Sequence, residues 1–133
     1  MTNDLIIAWT GTDSRLNIKS PKGGKVTLGE TSHSAPAVSI FKGRLYVAWT
    51  GTDSRLNVIS SNDGKTFGSK VTLNETSPFG PSLGSDGSTL YLGWTGTDIH
   101  LNQLSSADGT TYGSKVTSAE TSPFAMAEVA GAF

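Results

Sequence analysis

The sequence contains no cysteine, so it offers neither a disulfide framework nor a thiolate site. Charged residues make up 16% and the formal net charge is −1, which excludes attraction of a nucleic-acid backbone by bulk charge. No apolar run approaches the roughly 20 residues that a membrane-spanning helix needs. The opening residues, MTNDL, show no signal peptide, so we expect no export signal in this chain; the compartment, cytoplasmic or secreted, stays open.

What the chain does have is internal repetition, together with 16 glycines that suit an all-β protein with many turns. The segment WTGTDSRLN at residues 9–17 returns unchanged at 49–57 and as WTGTDIHLN at 94–102. A second block, KVTLGETS at residues 25–32, returns with changes at 70–77 and 115–122. Internal repetition of this kind indicates a repeat architecture, and it is stronger evidence for the fold than any single residue.

The spacing between the copies shows where one of them is shorter. Trp49 and Trp94 are 45 residues apart, whereas Trp9 and Trp49 are 40 apart. From Asn17 to Val26 is 9 residues, against 14 for the same interval in the other copies. Five residues are therefore missing from one hairpin of the first copy, where deletions are tolerated because the strands keep their length.

The second copy predicts four strands, at residues 37–41, 45–49, 56–60 and 67–73. They are rich in β-branched and aromatic residues and are separated by turn sequences, while no segment has a helical period. A period of 40–45 residues with four strands is typical of a propeller blade. We therefore predict an all-β fold, a β-propeller of four-stranded antiparallel blades with three blades per chain.

The register of the repeats places both chain ends between the first and second strands of a blade. The repeats then span residues 4–43, 44–88 and 89–133, and the chain, 1–133, is a single half-propeller. The first blade lacks its innermost strand, and residues 126–133 form a surplus one. Because unpaired strands pair readily and propellers close with 4–8 blades, we expect a homodimer, a six-bladed ring in which each C-terminal strand completes the partner's first blade. The alternative is a fragment of a longer propeller.

The hairpins before the fourth strands of the second and third copies carry a short turn motif. The second copy reads SSNDGKTF at residues 60–67 and the third reads SSADGTTY at 105–112, whereas the first copy, Ser20-Pro21-Lys22-Gly23-Gly24, has lost the motif. These turns resemble the Asp-box of sialidase-like propellers, S-x-D-x-G-x-T-[FW], with Asn62 and Ala107 at the Asp position and an acid one place later. The resemblance implies a structural hairpin on the face opposite the binding site. It also suggests bacterial and fungal β-propeller lectins, which hold sugars between blades, as functional analogues.

Two turns on the other face form the candidate binding surface, since function concentrates in loops. One lies at residues 50–55 of the second copy, and the other, at residues 74–79, joins one blade to the next. A cleft between blades would combine an aromatic plane with polar groups, the mixture that sugars need for stacking and hydrogen bonding. The candidate ligand-binding residues are Trp9, Asp13, Arg15, Asn17, Trp49, Asp53, Arg55, Asn57, Glu75, Phe79, Trp94, Asp98, His100, Asn102, Glu120 and Phe124.

Each candidate has a structural alternative. The tryptophans lie on strands whose two sides both pack against neighbouring blades, which favours a core role. The aspartates follow Gly-Thr and can cap the amides of their own turn. The asparagines can pair with the backbone of the next blade, and the glutamates can stabilise their turns. The arginines can be solvated, and His100, in place of arginine, marks a third site that differs.

The sequence shows no catalytic constellation. Sialidase chemistry needs three converging arginines, but Arg15 and Arg55 are repeat equivalents on different blades and Arg44 lies at the opposite end. His33 and His100 are mismatched in the repeat, so we expect no metal site, and we expect no cofactor. Similar blades also favour similar weak sites over the varied groups that catalysis needs.

We therefore expect a non-enzymatic, carbohydrate-binding, lectin-like propeller with a site between each pair of blades. Repeated sites on a ring can gain avidity of roughly 10²–10⁴ when ligands are clustered. The main alternative is a structural or protein-interaction propeller, built from a recently amplified or designed repeat. A further alternative is a sialidase-like fragment without its catalytic half.

Overall fold

A computed structural model describes residues 5–132, and this range is all-β, as predicted. Eleven strands form three antiparallel sheets, and no helix occurs among the described residues, hence none that could cross a membrane. Blade 1 contains β1 (Ile7–Thr10), β2 (Arg15–Ser20) and β3 (Gly24–Thr31). Blade 2 contains β4 (Ala37–Phe41), β5 (Arg44–Thr50), β6 (Arg55–Ser61) and β7 (Gly68–Thr76). Blade 3 contains β8 (Ser82–Ser85), β9 (Leu90–Thr95), β10 (His100–Ser106) and β11 (Gly113–Thr121).

The sheets confirm the predicted blade pattern. The four strands expected in the second copy are present as β4 to β7, hydrogen-bonded in chain order. Blade 3 repeats that order, whereas blade 1 has three strands among the described residues, in the order β1, β2 and β3. The trimmed hairpin of the first copy connects β2 to β3 at residues 21–23, without loss of either strand.

Packing between blades follows from the alternation of side chains along a strand. We call the side of a blade that faces the preceding blade its trailing face, and the other side its leading face. On β5, Val47 and Trp49 point to the trailing side and share an apolar cluster with Ile18 of blade 1. Tyr46 points to the leading side and shares a second cluster with Leu92 of blade 3. Both sides of β5 are buried, and each such side chain contributes about 1.5–3 kcal/mol.

The open trailing face of blade 1 presents apolar residues that the other blades bury. Leu5 is 79% exposed and Ile7 is 46% exposed, whereas their repeat equivalents Leu90 and Leu92 are both fully buried. The difference arises because blade 2 covers the trailing face of blade 3, and no described residue covers that of blade 1.

The hairpin from β6 to β7 is held by one carboxylate. Asp63 Oδ1 accepts hydrogen bonds from the backbone amides of Lys65 (2.8 Å) and Thr66 (2.9 Å) and from the Ser61 hydroxyl (2.9 Å). These bonds lower the pKa of Asp63 to about 2. In blade 3, Asp108 makes the equivalent contacts. The acid that stabilises the turn is thus Asp63, one place beyond the Asn62 to which the motif alignment assigned the role.

The C-terminal segment differs from the strand predicted at residues 126–133. Residues 126–132 form no strand, since a strand needs a hydrogen-bonded neighbour and no described strand pairs with this segment. The segment nevertheless lies against blade 3, because a Cβ added to Gly84 would be 3.2 Å from the nitrogen of Ala130. Its side chains alternate as in a strand, with Glu128 half-buried and Val129 93% exposed. Asp4 and Phe133, which complete the predicted register, lie outside the described residues.

Candidate functional site

A cleft of about 250 Å³ lies between blades 1 and 2, where the sequence predicted a binding surface. One wall is the end of β3, and the other is built by β5, the β5–β6 turn and β7 of blade 2. The lining residues are Gly29, Glu30, Thr31, Trp49, Gly51, Thr52, Asp53, Asn57, Lys70 and Thr72. We call this cleft 1/2, and the equivalent junction between blades 2 and 3 cleft 2/3.

A lysine of one blade pairs with a glutamate of the preceding blade at each of these two junctions. In cleft 1/2, Lys70 Nζ lies 2.8 Å from Glu30 Oε1 and 5.6 Å from the centre of the Trp49 ring. In cleft 2/3, Lys115 Nζ lies 2.8 Å from Glu75 Oε1 and 5.7 Å from the centre of the Trp94 ring. Each blade therefore supplies a base and a ring, and the preceding blade supplies an acid.

A third set of the same groups is divided between the two ends of the chain. Lys25 Nζ lies 5.9 Å from the centre of the Trp9 ring on the open trailing face of blade 1. The corresponding acid, Glu120, is exposed on β11 of blade 3. The described residues thus hold two complete sets of these groups, and a third set whose members lie on blades 1 and 3.

The glutamates reach the clefts because each outer strand bulges. Between the pairs Arg55–Thr76 and Asn57–Thr72, one residue of β6 faces the three residues 73–75 of β7. The same irregularity occurs in blades 1 and 3. A bulge bends the strand and redirects side chains, which places Glu75 beside the lysine of the next blade.

The aspartates cap their own turns. Asp53 Oδ1 accepts a hydrogen bond from the Arg55 amide at 3.0 Å, and Asp13 and Asp98 make the same bond at 3.0 and 3.1 Å. The structural alternative proposed from the sequence is therefore realised in all three copies. Capping does not remove Asp53 from the wall of cleft 1/2.

The asparagines are buried and tie the bulge to the turn within their own blade. Asn57 Nδ2 donates to the Arg55 carbonyl at 3.0 Å, and its Oδ1 accepts the Thr72 hydroxyl at 2.7 Å. Asn17 and Asn102 make the same pair of bonds. The suggested pairing with the backbone of the next blade is therefore replaced by contacts inside one sheet.

The tryptophans do not present an open plane for stacking. Trp49 and Trp94 are each 1% exposed and belong to the apolar clusters between blades, with a lysine over each ring. The physical reason is that β5 and β9 are packed against neighbouring blades on their trailing sides. Trp9, on the open face, is half-buried. Stacking of a ligand on Trp49 would require Lys70 to move.

The remaining cationic candidates differ between copies. Arg15 and Arg55 are exposed at the rim, in agreement with a solvated position. His100 is half-buried, and its Nδ1 lies 3.0 Å from the Ser118 carbonyl oxygen in the bulge of β11. Blade 3 therefore has an imidazole that contacts its own outer strand where blade 2 has an exposed guanidinium.

The phenylalanines lie outside the clefts. Phe79 lines a separate, largely apolar cavity of about 360 Å³, where the connections into the inner strands of blades 2 and 3 meet. Pro36, Pro78 and Pro81 form much of its wall. Phe124 is 71% exposed. The expectation that these rings would join Asp, Arg and Glu groups in one cleft is not met, because their chain segments turn inward toward the inner strands.

Sequence reasoning missed Lys25, Lys70 and Lys115. The available signal was that each begins the second recurring block, at a constant distance from the glutamate of the same block. Within residues 5–132, no group of three or more His, Asp or Glu side chains is arranged to hold a metal ion.

No protein-family model matches the chain, and no curated protein matches it. Among solved structures, a fucose lectin from Kordia zhangzhouensis in complex with methyl-fucoside has a TM-score of 0.57 with this chain. The match covers 90% of this chain and 92% of that one, at 10% sequence identity. At that identity the likeness shows a shared fold alone.

Proposed function

We propose that this protein is a non-enzymatic, carbohydrate-binding, lectin-like propeller whose ligand sites are the clefts between blades. The observation that carries the proposal is the recurrence of one arrangement at both complete clefts, an acid from one blade 2.8 Å from a base on the next. Such a pair suits a sugar hydroxyl, which can donate to a carboxylate and accept from an ammonium group at the same time.

The stability that these ion pairs add to the fold does not explain why they recur. The side chains of Lys70 and Glu30 are 44% and 33% exposed. Ion pairs in such positions typically contribute about 0–1 kcal/mol. A role in ligand binding explains why an acid and a base from different blades meet at each complete cleft.

The cleft favours a neutral, hydroxyl-rich ligand. Glu30 balances the charge of Lys70, and Asp53 Oδ1 already accepts a hydrogen bond from the Arg55 amide, so the lining has no excess of cationic groups that would select an acidic sugar. Since the indole ring is covered, polar contacts would lead recognition, with the edge of Trp49 contributing apolar surface. The fucose lectin that shares the fold binds methyl-fucoside, a neutral sugar derivative, which supports this ligand class.

A dimer would complete the sites. Two chains would supply six blades, within the range in which propellers close. Lys25 and Trp9 would then meet Glu120 of the partner subunit, and the exposed Leu5 and Ile7 would be covered. The ring would carry a cleft at every junction, with avidity for clustered glycans of roughly 10²–10⁴ over one site.

A glycan array tests this function. We expect the labelled protein to bind a subset of neutral glycans. The double variant Lys70→Met/Lys115→Met should lose at least tenfold of that signal, because both complete clefts lose their base. The matched control is Lys65→Met, on an exposed hairpin turn outside the clefts. Absence of binding to any glycan, or equal binding by the double variant, would refute the proposal.

A structural or protein-interaction propeller is the second candidate. It is favoured by the buried tryptophans and by the asparagines, which already use their polar groups within the blade. In that case the array would be blank. The double lysine variant would then lower the free energy of unfolding by more than the about 1 kcal/mol expected for exposed pairs.

A further inference from the structure

The centre of each internal junction is apolar. At the junction between blades 2 and 3, a row of three apolar residues crosses three paired strands on the trailing face of blade 3. The row is Leu83, Leu92 and Leu104, and it packs with Val58 on the leading face of blade 2. In junction 1/2, the equivalent four residues are Val38, Val47, Ile59 and Ile18. All eight side chains therefore belong to the two apolar clusters of the protein.

The same positions turn polar at the two open faces. Glu128 in the C-terminal segment takes the position of Leu83, and Gln103 on blade 3 takes that of Val58. On blade 1, the row continues through Ile7 to Lys19, which takes the position of Leu104 and is exposed. An acid thus stands at one end of the chain and a base at the other, where both internal junctions have aliphatic residues.

Glu128 is built into blade 3 with one oxygen unsatisfied. The carboxyl group lies beside Ser82 and Gly93, which replace the Ala37 and Ala48 of blade 2 and make room for it. Its Oε1 is buried and has no hydrogen-bond partner among residues 5–132. Burial raises the pKa of Glu128, although hydrogen bonds from the Ser82 hydroxyl and the Gly93 amide oppose the rise. A buried carboxylate oxygen without a partner is costly, so a cation close to it would be stabilising.

We propose that Glu128 forms an ion pair with Lys19 of the partner subunit, and that this pair marks the junction between chains. The inference rests on the proposed ring. With residues 126–132 paired to β1 of the partner subunit, as β4 pairs with β5, Glu128 and the partner's Lys19 would flank the partner's Ile7 on one face. Strands lie about 4.8 Å apart, so the two Cα atoms would be about 10 Å apart, a gap that the two long side chains can close.

The pair would determine which faces of the blades can associate. An internal face meeting an open face would bury Glu128 or Lys19 against aliphatic residues, at a cost in desolvation. Only the two open faces offer each charge its opposite. The substitutions at Ser82, Gly93 and Gln103 fit the same role, since they replace apolar neighbours of the acid with small or polar ones.

Complementation between two variants tests the pair. Lys19→Glu and Glu128→Lys are each expected to weaken self-association at least tenfold, measured by sedimentation velocity. An equimolar mixture of the two is expected to recover dimers, because each junction of the mixed ring again contains one acid and one base. Lys65→Glu makes the same charge change on an exposed lysine of blade 2 and should dimerise like the unaltered chain.

The outcomes separate this inference from the ring itself. A monomeric unaltered chain refutes the ring and the pair together. A dimeric unaltered chain whose two variants stay monomeric when mixed refutes the pair and leaves the ring standing. If either charge reversal fails to fold by circular dichroism, the isosteric variant Glu128→Gln decides, since an unchanged dimer dissociation constant would refute the pair.

Discussion

At the residue scale, Ile99 has an unfavourable backbone conformation. Its φ of 63° is left-handed, in the turn position where the other copies have Ser14 and Ser54. A β-branched residue in that region is strained, by roughly 1–2 kcal/mol. The side chain is 44% exposed, so little burial offsets the strain.

Ile99→Gly is therefore expected to raise the free energy of unfolding by about 1 kcal/mol, after the entropic cost of glycine in the unfolded chain. Urea denaturation measures it. Ser54→Gly is the matched control and should give a smaller gain, because serine is not β-branched. A loss of stability in Ile99→Gly would show that the isoleucine makes a compensating contact.

Asn57 carries a second residue-scale prediction. Its side chain joins the Arg55 carbonyl to the Thr72 hydroxyl from a buried position. Asn57→Ala should cost about 1–3 kcal/mol, because it leaves buried polar groups without partners. Thr72→Val removes one of the two bonds and should cost less. If Asn57→Ala were as stable as the unaltered protein, the asparagine would be free for a ligand role.

At the element scale, the hairpins β6–β7 and β10–β11 should confer acid sensitivity. The pKa of Asp63 is lowered from 3.8 to about 2, and backbone hydrogen bonds lower that of Asp108 also. Because the folded-state pKa lies below the unfolded value, the stabilisation is present above pH 3.8 and is lost as the pH falls toward 2.

Asp63→Asn/Asp108→Asn should flatten the dependence of unfolding free energy on pH in that range. Urea denaturation at a series of acidic pH values measures it. An unchanged pH dependence would show that other carboxylates dominate acid unfolding.

The elements were also the part of the structure most open to prediction. Strand positions follow from β-branched and aromatic runs between turn residues, and β4 to β7 appear where expected. The bulges could not be predicted, because the loss of register between Asn57 and Arg55 depends on hydrogen bonds across strands. Glu30 lies in the equivalent bulge of β3, so its contact with Lys70 could not be predicted from the sequence either.

At the scale of the whole molecule, the repeat predicted the blades but not which of the repeated side chains are buried between blades and which are exposed. Trp49 is identical in sequence context to Trp9, yet one is buried and the other half-buried, because burial depends on the neighbouring blade. Lys19 and Glu128 look like ordinary surface substitutions in the sequence. The pairing of Lys19 with Ile7, and the repeat register that aligns Glu128 with Leu83, put them at positions that pack between blades.

Calorimetric titration of the protein with its strongest array glycan counts the ligand sites, and so measures whether each junction between blades binds sugar. Three sites per chain are expected, because in the proposed ring the two complete clefts would be joined by one that Lys25 and Glu120 would form between subunits. A single site per chain, or heat that does not saturate, would contradict this expectation.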